Sequence, residues 1–184
     1  MRPARPLFLL GLAGASVVLL SVLALVVMAA SVWPVGYPSP SSPGTPEPGH
    51  PPPALVALDS FVAASLRCGI SASLLLAQQQ LESGFDPTAV SPAGAEGLAQ
   101  FEPATFARYA EPVPLGGMSP PSPFDPVDSA FAEARMLCAN KAGRDLTRAL
   151  VVYNCGSASL RCYEASLAYA VEVEDLARRI QASI

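Results

Sequence analysis

Residues 71–109 read SASLLLAQQQLESGFDPTAVSPAGAEGLAQFEPATFARY, and this stretch decides the fold. It opens on an apolar run with a helix-start residue, Ser71, ahead of Ala72 and a helix-stop residue, Gly84, just past Glu82. The pattern predicts a helix over residues 72–82 that ends on a single carboxylate, Glu82. A glycine-punctuated turn follows, from Ala89 through Ser91, Gly94 and Gly97 to Gln100, placed to fold back toward that carboxylate. Pro103 then marks another helix start, because the N–H that proline lacks has no partner in a first turn anyway.

Outward from this stretch the signals stay helical. Leu55, Leu58, Phe61, Val62 and Leu66 give one apolar helical face. Asp125-Pro126 pairs a cap with a first-turn proline, ahead of Val127, Ala130, Phe131, Ala134 and Leu137 at helical spacing. Asp145 opens a helix through Tyr153, and two more helices are expected over residues 157–169 and 171–182. Glu111 to Pro123, rich in proline and glycine, reads as a surface loop bordering any groove. The fold class is mainly α, all-helical or α+β: one compact helical domain with at most a small β-hairpin near Thr88–Gly97.

Charge and composition remove several functions. From residue 54 onward there are nine Arg and Lys against fourteen Asp and Glu, with Lys141 the one lysine, so nucleic acid is not an expected partner. The chain's one histidine, His50, lies outside the domain, in a proline tract. Ser-His-Asp and Cys-His nucleophile systems and His-containing zinc sites are thereby excluded. No metal or other cofactor is expected. Acid–base chemistry falls to carboxylates, tyrosines, cysteines or Lys141, and glycoside cleavage is the common reaction run on carboxylates alone.

The order Glu82-Ser83, then Ser91-Pro92-Ala93-Gly94-Ala95-Glu96-Gly97-Leu98-Ala99-Gln100, then Pro103-Ala104-Thr105, then Tyr153-Asn154 resembles the lytic transglycosylase (SLT) branch of the lysozyme-like superfamily. The resemblance spans most of residues 66–180. It implies Glu82 as general acid and base, and peptidoglycan as substrate. Ser91 would bond near the substrate N-acetyl group or the catalytic carboxyl, Gln100 would contact the glycan, and the Tyr153 hydroxyl would approach Glu82. Asn154 and Glu102 complete the implied substrate-binding set. The resemblance further implies cleavage of the MurNAc–GlcNAc β-1,4 bond with formation of a 1,6-anhydromuramyl end.

Three positions depart from the family pattern. Glu102 and Ala99 stand where methionine is common, and Cys155 where alanine is common. A second carboxylate in the cleft opens the alternative of a lysozyme-type hydrolase, in which Glu102 activates water. A non-catalytic peptidoglycan-binding module is the other alternative. Small family members also suggest, by analogy, cell-envelope or secretion-apparatus partners.

The N-terminus supplies a location. After Arg2 and Arg5 in residues 1–6, residues 7–33 carry no charge and are long enough to span a bilayer, with the N-terminus held cytoplasmic by the positive-inside rule. Residues 34–53 form a proline-rich extracytoplasmic linker, and residues 54–184 the domain. The expected location is the bacterial cytoplasmic membrane, single-pass with the domain outside, or secretion if the apolar segment is a cleaved signal. Cys68, Cys138, Cys155 and Cys162 all fall in the exported part, where an even count reads as two disulfides. Of three pairings, Cys68–Cys138 is preferred because it ties the start of the Glu82 helix region to the helix after Pro126, leaving Cys155 with Cys162. Free thiols at the latter two are the alternative. On one continuous helix they would stand about 10 Å apart, too far to bridge unless a helix begins between them.

Overall fold

A buried helix carries Glu82. In the computed structural model, which describes residues 50–113, 116–156 and 162–184, this helix is the second of six, α2 (Ala72–Ser83). Ser71 caps it by accepting a hydrogen bond from Leu74 N at 3.2 Å. Gly84 stops it in the left-handed conformation, φ 65°, and returns its N–H to the Gln80 carbonyl at 3.0 Å. Every residue from Ser73 to Gln80 is buried. A helix covered on all sides must be packed around by others, and here α1 (Pro53–Leu66), α4 (Pro126–Ala139) and α6 (Tyr163–Gln181) do so.

The remaining helices start as the sequence predicts. Asp125 accepts from the N–H groups of Val127 and Asp128, both at 3.0 Å, with Pro126 in the first turn of α4. Asp145 accepts from Arg148 N at 3.1 Å to open α5 (Leu146–Cys155). Pro103 opens the short α3 (Pro103–Tyr109). The principal core joins α1, α2, α4, α5 and α6 through Val62, Leu75, Leu76, Leu137, Leu150 and Val173. A second cluster, Ala99, Phe101, Phe106, Ala132 and Met136, seats the glycine-rich turn and α3 against α4.

One expectation changes. The two C-terminal helices are one, α6, because nothing between Tyr169 and Val171 breaks a helix; residues 157–161 lie outside the described residues. The region near Thr88–Gly97 holds isolated bridges, Val90 to Glu96 and Glu96 to Phe101, and the described residues contain no sheet. The apolar segment 7–33 also lies outside the described residues, among which no helix is long and apolar enough to cross a membrane.

Both disulfides form as paired above, Cys68–Cys138 with Cα atoms 5.6 Å apart and Cys155–Cys162 with Cα atoms 5.9 Å apart. The second is possible because α5 ends at Cys155 and α6 begins after Cys162, so the pair brackets a helix break. Beside the first, Gly143 lies so close to the Cys68 carbonyl that a Cβ there would overlap it.

Candidate active site

Glu82 sits in the last turn of α2 and lines a cleft of about 410 Å³ together with Ala95, Gln100, Phe101, Glu102, Thr105, Met136, Tyr153, Asn154, Cys155 and Gly156. Burial pushes its carboxyl pKa up, opposed in part by a hydrogen bond from Tyr169. A carboxyl with a raised pKa keeps its proton further toward neutrality, which a general acid requires.

That bond was not legible as such in the sequence. Tyr169, from α6, donates to Glu82 Oε1 at 2.6 Å, and its own oxygen accepts from Gln78 Nε2 at 3.1 Å. The resemblance has the Tyr153 hydroxyl approach Glu82; the hydrogen bond to Glu82 itself comes from Tyr169. The Tyr153 hydroxyl donates instead to the Ala99 carbonyl at 2.7 Å, because α5 brings its ring against Phe101 and the buried turn. Both phenols have pKa values pushed well up, first by burial and then by neighbouring negative charge, so both remain hydrogen-bond donors. The available signal was Gln78 itself: a glutamine one turn before the acid, inside an apolar helix, needs a polar partner.

The glycine-rich turn is built by its own backbone. Glu96 and Phe101 exchange two hydrogen bonds at 2.9 Å each, and Gly97 N donates to the Ala89 carbonyl at 2.8 Å. Gly97 has φ 74°, and a Cβ there would overlap the Pro123 carbonyl, so no other residue fits. Ser83, next to the acid, donates to the Leu98 carbonyl at 2.7 Å and fastens the end of α2 to this turn.

Of the six residues expected at the site, five line the one cleft: Glu82, Gln100, Glu102, Tyr153 and Asn154. Ser91 does not. Its Oγ accepts from Ala95 N at 2.9 Å, and its N–H donates to the Ala95 carbonyl at 2.9 Å, so it closes the turn that presents Ala95 to the cleft. The Gln100 amide nitrogen is spent on the Gly97 and Ala89 carbonyls, at 2.9 and 3.2 Å, leaving its carbonyl oxygen as what it can offer a sugar. Glu102 is exposed at the start of α3, where its side chain makes no capping bond. The Asn154 carbonyl oxygen accepts from Ser166 Oγ at 2.9 Å, which leaves its amide N–H groups for a ligand.

Two carboxyls line the cleft, Glu82 half-buried and Glu102 exposed. The family model for the transglycosylase SLT domain matches residues 59–170, and the chain belongs to that family. Membership places it among lytic transglycosylases, which act on peptidoglycan. No curated protein and no solved structure matches the chain.

Proposed function

We propose that the protein is a membrane-anchored lytic transglycosylase that cleaves the MurNAc–GlcNAc β-1,4 bond with Glu82 as both acid and base. The observation that carries this is the Glu82 carboxyl, desolvated in the cleft and held by Tyr169. Protonated Glu82 gives its proton to the glycosidic oxygen as the bond to the muramyl C1 breaks, and the substrate's own N-acetyl oxygen stabilises C1. Glu82, now ionised and accepting from Tyr169, takes the proton of the C6 hydroxyl while that oxygen bonds to C1. The product is a 1,6-anhydromuramyl end, and no water is consumed.

The test is release of soluble fragments from purified peptidoglycan by the full chain and by Glu82→Gln. The unmutated chain should release fragments, and the variant should bind the sacculi without releasing any. Release by the variant would overturn the assignment.

A second reading, hydrolysis, rests on Glu102, a second carboxyl lining the same cleft. If it delivered water to C1, Glu102→Gln would abolish cleavage; the transglycosylase reading predicts an active variant.

Export of the domain is supported by the charge-free segment 7–33 behind Arg2 and Arg5 and by two disulfides, which persist in oxidising compartments. The proline-rich linker 34–53 would then hold the enzyme off the bilayer, within reach of the wall. Retention of the full chain in the membrane fraction after alkaline extraction tests the anchor, and its appearance in the soluble fraction would indicate a cleaved signal.

A further inference from the structure

Three polar side chains from three helices meet in the core. Asp59 of α1 and Glu133 of α4 are each 0 % exposed, as is Gln79 of α2. The Gln79 amide nitrogen donates to both carboxyls, to Asp59 Oδ1 at 3.2 Å and to Glu133 Oε2 at 2.9 Å. Asp59 Oδ2, Glu133 Oε1 and Gln79 Oε1 have no partner.

Hydrogen-bond bookkeeping alone shows what this cluster needs. Were both acids ionised, five oxygens would share the two N–H bonds of one amide, with two negative charges in a dry interior. Each proton added turns an orphaned acceptor into a donor and removes a charge. One proton on the cluster would answer both deficits, and the groups around it favour one. Burial raises the Asp59 pKa to about 7. It pushes Glu133 well up, and the charges of Asp59 and Glu82 push it further. The titratable neighbours are Glu82 on α2, Tyr153 on α5 and Tyr169 on α6, none of them a cation. Arg135, on the same helix as Glu133, is turned outward to the Tyr109 carbonyl at 3.2 Å and to Glu111.

Gln79 stands three residues before Glu82, one turn back on the same helix. We propose that Asp59, Gln79 and Glu133 form a proton-holding clamp that fixes the register of Glu82 and slackens when its proton is lost, making Asp59 and Glu133 positioning residues for glycan cleavage. This rests on the catalytic assignment of Glu82. Neither acid touches the cleft, so the clamp acts on turnover and leaves substrate affinity alone.

The sign follows from linkage. Acids with pKa values raised by folding contribute stability that is full below their unfolded pKa, about 4, and is lost as pH rises through the folded value. For Asp59 that value is about 7. The experiment uses the full chain, with Asp59→Asn/Glu133→Gln, which keeps amide oxygens as acceptors for Gln79 but cannot titrate. Two quantities are read from about pH 5 to about pH 9: melting temperature, and kcat and KM on peptidoglycan.

The clamp predicts a melting temperature that falls through neutrality in the unmutated chain and is level in the double variant. It predicts an alkaline kcat limb falling about a hundredfold per pH unit in the former and about tenfold in the latter, at equal KM. Superimposable kcat profiles would overturn it. Should the double variant not fold, the Glu82→Gln chain alone decides: its melting temperature must still fall through neutrality, and a level profile rejects the clamp. Activity in that same chain would instead reject the role of Glu82, so the two failures are distinct.

Discussion

Tyr169 donates to Glu82 Oε1 at 2.6 Å while its own oxygen accepts from Gln78 at 3.1 Å, so the phenol is aimed before any substrate arrives. The bond favours the ionised carboxyl, and burial favours the protonated one. The proposed role of Glu82, giving up a proton and then recovering one, draws on both influences.

Tyr169→Phe removes the bond that lowers the Glu82 pKa, so the pKa rises and the alkaline limb of kcat moves to higher pH. The carboxylate formed after proton donation also loses a charge-assisted hydrogen bond worth about 1.5–3 kcal/mol, so kcat at the optimum should fall about tenfold to a hundredfold. A pH–rate profile checks both effects together.

Gly97→Ala should cost more than Gly94→Ala. Both positions have positive φ, 74° and 85°, but only at Gly97 does the added methyl meet backbone, the Pro123 carbonyl. A loss of about 1 kcal/mol at Gly94 and several times that at Gly97 is expected from thermal melts.

The two disulfides should differ in worth. Cys68–Cys138 closes a separation of 70 residues and Cys155–Cys162 one of 7. Chain-entropy arguments give about 4 kcal/mol for the longer loop and about 2 kcal/mol for the shorter. Paired serine substitutions, compared by denaturant unfolding, read the difference.

Ser83→Ala frees the end of α2 from the Leu98 carbonyl. A stability loss of about 1 kcal/mol should accompany a kcat loss at unchanged KM, because Ser83 fastens the helix end that carries Glu82 and is not among the cleft residues.

The helices were legible because their starts and stops are local. Ser71, Gly84, Asp125-Pro126 and Asp145 act on backbone groups within a turn of themselves, and all do in the structure what their positions imply. The position of Glu82 in the last turn of α2 was legible from the helix stop at Gly84. What escaped was long-range: Tyr169 reaches Glu82 across 87 positions, and Glu133 meets Gln79 across 54. Ser91 accepts from Ala95 N within its own turn, and spacing does not tell that role from a substrate contact. The three successive glutamines 78–80 inside an apolar helix are buried, and buried amides imply partners that local pattern cannot name.

The most direct test is mass spectrometry of peptidoglycan digested by the full chain in oxygen-18 water, beside Glu82→Gln. The account predicts unlabelled 1,6-anhydromuramyl ends from the unmutated chain and none from the variant. Reducing ends carrying the heavy oxygen would contradict it and identify a hydrolase.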